Sequence, residues 1–214
     1  PIVVRTRGVA IAIGRGMANH ILVRKIMWKR DAIMNYLGRH VHGRIDKGKK
    51  NAREYDFLVA LAAQPNAGKT TLFNTLTGKT GYVGNWPGKT VEKAEGTLFF
   101  QGYKIHIIDL PGIYSLSAFS IEEIIAREYI AIEKPDIIIN VIDASNLERN
   151  LYFTIQLLEL QVPMIIALNQ MDFATKKGIK IDIEKFSKIL GIPVIPTVAI
   201  KGEGIKELLS KVID

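Results

Sequence analysis

From residue 57 onward the sequence repeats one pattern: a largely apolar run, then a stretch with helical spacing. The runs are 57–62, 105–108, 137–142, 164–168 and 192–195. A run that is apolar throughout, without alternation, marks a strand buried on both faces. Helical spacing of apolar residues covers 70–76, 121–132, 147–160, 183–190 and 204–213. Leu98-Phe99-Phe100 and the run 105–108 flank Gln101-Gly102 as a hairpin. Strands alternating with helices predict an α/β fold with a mainly parallel, six-stranded sheet and helices on both faces. Ligands of such sheets sit beyond the carboxyl ends of the strands. The loops there are the place to look for chemistry.

Residues 1–56 differ in kind. They hold 13 Lys/Arg against 4 Asp/Glu, so the whole excess of the +8 chain lies there, and 57–214 carry a net −1. Short strands are expected at Ile2-Val3-Val4 and 9–13, punctuated by glycines, in a β-rich segment 1–24. A basic helix near 28–37 and a charged linker at 44–53 are expected within 25–56. His40 and His42 fall there and read as solvated loop histidines. The chain has no cysteine, which excludes disulfides and thiolate metal sites. No run approaches the roughly 20 apolar residues a membrane helix needs, and no signal peptide is visible. A first residue of Pro1 reads as a fragment or processed product.

Four loops follow the buried runs. Ala63-Gln64-Pro65-Asn66-Ala67-Gly68-Lys69-Thr70 leaves a strand and opens a helix, the context of a phosphate loop. Its backbone N–H groups and the helix N-terminus would face phosphate oxygens. Lys69 would reach the β- and γ-phosphates. Thr70 would ligate Mg²⁺, with Thr71 beside it. Ala63 stands where a glycine is usual, which requires a backbone without positive φ. Asp109-Leu110-Pro111-Gly112 offers a carboxylate for the Mg²⁺ shell and the Gly112 N–H for the γ-phosphate. By itself it also reads as a type II turn. Asn169-Gln170-Met171-Asp172 would read guanine, the Asp172 carboxylate accepting N1–H and the exocyclic amine. Gln170 replaces the usual lysine, and the run alone also suits a plain loop. Finally Thr197-Val198-Ala199 brings an amide, that of Ala199, toward guanine O6. The order of all four, each directly after a buried strand, outweighs the plain readings.

Longer runs carry a resemblance. Gly84-Asn85-Trp86-Pro87-Gly88-Lys89-Thr90-Val91-Glu92 resembles the first switch of the ferrous-iron transport protein B family. Asp109-Leu110-Pro111-Gly112-Ile113-Tyr114-Ser115-Leu116 resembles a later segment of that family, as do Ala126-Arg127-Glu128-Tyr129-Ile130 and Asp143-Ala144-Ser145-Asn146-Leu147-Glu148-Arg149-Asn150-Leu151. The resemblance covers nearly all of 57–214. It implies a P-loop GTPase domain with GTP or GDP and Mg²⁺ as cofactors. It also implies a place on the cytoplasmic face of the membrane, ahead of a helical domain and a membrane domain that moves Fe²⁺. Thr90 then joins Thr70 and Asp109 as an Mg²⁺ ligand in the GTP state, with Gly88 and Lys89 beside it. Lys89 departs from the family's usual apolar residue. Residues 1–23 resemble the last third of the SH3-like iron-transport protein A, whose open edges would pack on the GTPase domain, pair with another copy or leave the segment disordered.

Lys69, Asn66, Thr90 and Gly112 are the expected catalytic set. Ile113 follows Gly112 where small regulatory GTPases carry a water-orienting glutamine, so intrinsic hydrolysis is expected to be slow. Asn66 resembles the phosphate-loop asparagine of potassium-stimulated GTPases. With carbonyls near Gly84 and Trp86 it would hold K⁺, which would neutralise developing phosphate charge. Two other readings stand beside this one: a nucleotide-gated module with vestigial hydrolysis, and an RNA- or ribosome-associated GTPase. The basic arm reads as a solvated tether rather than an RNA-binding segment.

Overall fold

The computed structural model describes residues 2–6, 9–13, 54–78, 81–117 and 119–214. The chain divides into two units, 1–53 and 54–214. In the first, β1 (Ile2–Thr6) pairs antiparallel with β2 (Val9–Ile13), at the positions where strands are predicted. The predicted helix near 28–37, the linker 44–53, His40 and His42 lie outside the described residues, as does most of the SH3-like resemblance.

The second unit builds one sheet. Its strands are β3 (Phe57–Ala63), β4 (Tyr82–Asn85), β5 (Glu92–Phe100), β6 (Tyr103–Asp109), β7 (Ile137–Asp143), β8 (Met164–Asn169) and β9 (Val194–Pro196). They lie in the order β4-β5-β6-β3-β7-β8-β9. Four of the neighbouring pairs are parallel, and the pairs β4/β5 and β5/β6 are antiparallel. The sheet is therefore seven-stranded and mixed, not six-stranded. The additional strand is β4, whose side chains are mostly exposed, so no apolar run announces it. At the β5–β6 turn Gln101 (φ 50°) and Gly102 (φ 87°) are both left-handed, the geometry of a two-residue hairpin turn.

Helices α1 (Lys69–Thr77), α2 (Ile121–Glu133), α3 (Leu147–Glu159), α4 (Met171–Lys176), α5 (Ile183–Leu190) and α6 (Ile205–Ile213) connect the strands. Alternate residues of β3 feed two cores. Val59, Leu61 and Ala63 pack with Leu72, Phe73 and Leu208, beneath α1 and α6. Leu58, Ala60 and Ala62 pack with Ile125, Ile130, Phe153 and Leu157, beneath α2 and α3. This explains why the central strands read as unbroken apolar runs: both faces are covered. The chain leaves β3 to reach β6 on one side and later β7 on the other. The crevice at the carboxyl end of β3 is thus the topological switch point. Among the described residues no helix is long and apolar enough to cross a membrane.

At the opposite, antiparallel side of the sheet His106 stacks on Tyr55, with ring centroids 5.1 Å apart, and its Nδ1 lies 3.0 Å from Thr97 Oγ1. Burial lowers its pKa from the usual 6.5, against the upward pull of Glu95. The folded state thus binds this proton less readily than the unfolded chain. The associated stability is complete above about pH 6.5 and is lost as pH falls toward the depressed folded value. A His106→Gln variant is expected to lose less Tm than the parent when pH drops from about 7.5 to about 5.5, measured by thermal melts in matched buffers.

Candidate nucleotide site

The phosphate loop begins where β3 ends. Ala63 closes the strand fully buried, without positive φ. Alanine is therefore tolerated where glycine is usual. Its carbonyl accepts the Ile113 N–H at 3.1 Å, which joins the loop to the segment after β6. Asn66 (φ 69°) and Gly68 (φ 87°) turn the chain into α1. No side chain caps α1 and no acidic residue lies in its first turn. Helices α2 and α5 are capped by Ser120 and Asp182. The free N–H groups of α1 form an anion-binding end of the kind a phosphate requires. Thr70 and Thr71 are exposed in that first turn.

Lys69 and Asp109 meet. The ammonium lies in direct ion-pair contact with the Asp109 carboxylate, both side chains 11% exposed. Burial pushes the Asp109 carboxyl above its usual range, and the adjacent ammonium offsets part of that rise. Leu110 and Ile113 are buried, so the Ile113 side chain points into the core. Gly112 approaches Pro65: a Cβ there would lie 3.6 Å from Pro65 Cα.

Asn169 proves to be a brace. Its Nδ2 donates to the Ala67 carbonyl at 3.1 Å, and its Oδ1 accepts the Ala199 N–H at 3.0 Å. The Thr197 hydroxyl lies 3.4 Å from the same Oδ1. One buried amide thus ties the phosphate loop to the last loop. Gln170 (φ 60°) turns the chain into α4 and donates from Nε2 to the Asn66 carbonyl at 3.1 Å.

Beside this brace opens a pocket of about 250 Å³ that takes in Gly68, Thr71, Asn169, Gln170, Asp172, Phe173, Val198, Ala199 and Ile200. Asp172 lines it with a side chain 19% exposed, 3.5 Å from Lys201 Nζ. Phe173 and Ile200 are 51% and 80% exposed and form apolar lips suited to a planar base. Sequence reasoning passed over both, because an apolar residue outside a periodic run carries no signal. Gln64, expected in the phosphate loop, is buried at 5% exposure and donates from Nε2 to the Arg149 carbonyl at 2.9 Å.

The run 84–90 lies elsewhere in the architecture. Gly84 and Asn85 belong to β4, paired with Lys93 and Glu92 of β5. Trp86 N–H donates to the Val91 carbonyl, and the Trp86 carbonyl accepts the Lys89 N–H, both at 2.9 Å. Gly88, Lys89 and Thr90 are exposed in this turn.

A strand–loop–helix turn at the switch point with an uncapped helix end, a lysine–aspartate pair beside it and a pocket lined by Asp172 are the layout of a P-loop GTPase. A sequence profile described as Ferrous iron transport protein B matches residues 57–212. The chain belongs to this FeoB family. It is 51% identical over 154 residues to the Fe(2+) transporter FeoB of Escherichia coli (strain K12), covering 70% of this chain and 20% of that protein. The figures for the Salmonella typhimurium FeoB are 50%, 70% and 20%. The chain thus spans about a fifth of the length of the curated relatives it matches. Among solved structures, the G domain of the T. maritima FeoB iron transporter is similar at 48% identity and TM-score 0.70, over 73% of this chain and 96% of that one. The cytosolic domain of the same transporter in its GMPPNP form is similar at 49% identity and TM-score 0.72, over 73% and 62%.

Proposed function

We propose that residues 57–214 bind GTP and GDP with Mg²⁺, hydrolyse GTP slowly with K⁺ stimulation, and thereby regulate ferrous iron transport by a membrane protein of which this chain forms part. The carrying observation is the juxtaposition of the uncapped α1 N-terminus, the Lys69–Asp109 pair and the Asp172 pocket. It is further supported by relatives whose structures are described in GDP and GMPPNP forms. The domain would work on the cytoplasmic face, joined to the parent's helical and membrane parts.

In this reading the α1 amides and Lys69 hold the phosphates. Asp172 accepts two guanine N–H groups, which adenine does not offer. The Ala199 N–H is engaged by Asn169, so the next amide along, that of Ile200, is assigned to guanine O6. Phe173 and Ile200 cover the base. Thr70 and Asp109 fit a Mg²⁺ ion, being a hydroxyl and a carboxylate at the phosphate end, and Thr90 would join them in the GTP state. Such an ion supplies charge neutralisation of the phosphates. The Gly112 N–H meets the γ-phosphate. With the Ile113 side chain in the core, no side-chain amide follows Gly112 to orient water, and slow turnover results. Asn66, with the Gly84 and Trp86 carbonyls, is the candidate K⁺ shell.

Calorimetry should show GDP and GTP binding and ATP not binding; ATP bound as tightly as GTP removes the guanine reading. Turnover in matched KCl and NaCl is expected to differ by about tenfold or more, given the weight of one well-placed charge at the transferring phosphoryl group. An Asn66→Gly variant keeps the left-handed backbone and should lose that difference. Equal rates in the two salts leave nucleotide binding standing and discard K⁺.

A further inference from the structure

Gly84, Trp86 and Thr90 are assigned above to the bound nucleotide and its ions, yet all three sit in the β4–β5 hairpin. Trp86 alone is buried among residues 81–91. The other ten are exposed or half-exposed, so the indole is the hairpin's single deep anchor. It enters the core on the α2 side, among Ile108, Ile125 and Ala126. Its ring meets Tyr129 of α2 edge-on at 5.4 Å and 72°, and the Lys93 ammonium lies 5.6 Å above it. The same indole is imperfectly satisfied: its Nε1 is buried with no hydrogen-bond acceptor among the described residues. A desolvated donor without a partner penalises the form that buries it. Helix α2 follows directly on the segment 109–120, which carries Gly112.

We propose that Trp86 is a positioning residue that pins the 84–90 segment to α2 in a resting hairpin, and that GTP, unlike GDP, draws the indole out. This rests on the reading of 84–90 as the nucleotide-facing switch. The resting hairpin already engages the backbone groups that would face the ion. The Trp86 N–H to Val91 bond makes 86 and 91 a hydrogen-bonded pair of the ladder. By alternation Gly84 and Lys93 form the next such pair. The Gly84 and Trp86 carbonyls assigned to the ion shell therefore each already accept one N–H, from β5 and from the turn, while the indole stays seated. Withdrawing the indole frees both and simultaneously removes a packing contact from α2, so the two flanks of the phosphate site change together.

The ladder also supplies the test. Asn85 and Glu92 face each other as a non-hydrogen-bonded pair, whose Cα spacing of about 4.5 Å suits a disulfide. The chain has no cysteine of its own, so an Asn85→Cys/Glu92→Cys variant can form only this bridge. It is made in a Trp28→Phe background, leaving Trp86 as the single indole. Reduced, the protein should show a red shift of Trp86 emission with Mg²⁺ and a non-hydrolysable GTP analogue, and none with GDP. Oxidised, it should lose the shift and bind the analogue about tenfold more weakly, with GDP affinity within about twofold, in the usual range of coupling between sites. Independently, Trp86→Ala should raise the ratio of analogue affinity to GDP affinity, because it removes the pin and not a nucleotide contact. Analogue binding unchanged by oxidation, a shift that persists in the oxidised form, cysteines that fail to couple, or an unaltered ratio in Trp86→Ala would each overturn the proposal. If neither nucleotide binds to any form, the reading of the site itself fails, which is a different outcome from a lock without effect.

Discussion

A Gly68→Ala substitution is expected to weaken GDP binding by about 100-fold and to lower stability by about 3 kcal/mol. Two independent costs meet at this atom. Gly68 has φ 87°, and a Cβ placed on it would lie 2.3 Å from Asn169 Nδ2. The left-handed backbone alone costs an alanine about 1–2 kcal/mol. The collision then displaces the one amide that bonds Ala67, Ala199 and Thr197 together. A buried hydrogen-bonding group left without its partner costs about 1–3 kcal/mol. Phosphate loop and base pocket would loosen jointly, because Asn169 serves both. Thermal melts and calorimetry with GDP measure the two effects. Gly178→Ala is the matched control: its φ is 71° and nothing lies within 4 Å of its Cβ position. It should show only the backbone cost, with GDP affinity intact. Equal losses in the two variants would remove the clash from the explanation.

The second large effect concerns the base. Asp172→Ala should lower affinity for GDP by about 100- to 1000-fold, the loss of two charge-assisted hydrogen bonds, while ATP affinity stays at its weak parental level. Asp172→Asn sharpens this into a change of substrate. Xanthine carries a carbonyl where guanine carries its exocyclic amine, and a carboxamide can donate to that carbonyl while accepting from N1–H. The variant is therefore expected to prefer xanthosine diphosphate to GDP, read out by competition against a fluorescent nucleotide. Unchanged guanine preference in both variants would refute the assignment of Asp172.

How far the sequence could be read depended on burial. The strands β3, β7 and β8 are covered on both faces and β6 over most of its length, and largely apolar runs mark each of them. β4 is not legible, since its four residues bury little and it is held by ladder bonds and the Trp86 indole that follows it. Helix α4 was missed because six residues starting from a left-handed Gln170 leave no room for a period. At the site, residue types were legible and their partners were not. Asn169 is legible as a loop residue beside the base, but its bracing of two loops through Ala67 and Ala199 is not. In the last loop the Ala199 amide bonds to Asn169, and Val198, Ala199 and Ile200 all line the pocket. Hydrogen bonds between loops that lie 30 to 102 residues apart have no local signature.

In the proposed function the Lys69–Asp109 contact would make this an exchange site. The ammonium cannot move up to a phosphate without deserting a carboxylate that burial already disfavours as an anion. That carboxylate then needs another cation. On the proposed function, nucleotide and divalent ion would consequently not be independent guests: each would remove the obstacle to the other. By reciprocity of linked equilibria, the factor by which the ion tightens nucleotide binding must equal the factor by which nucleotide tightens the ion.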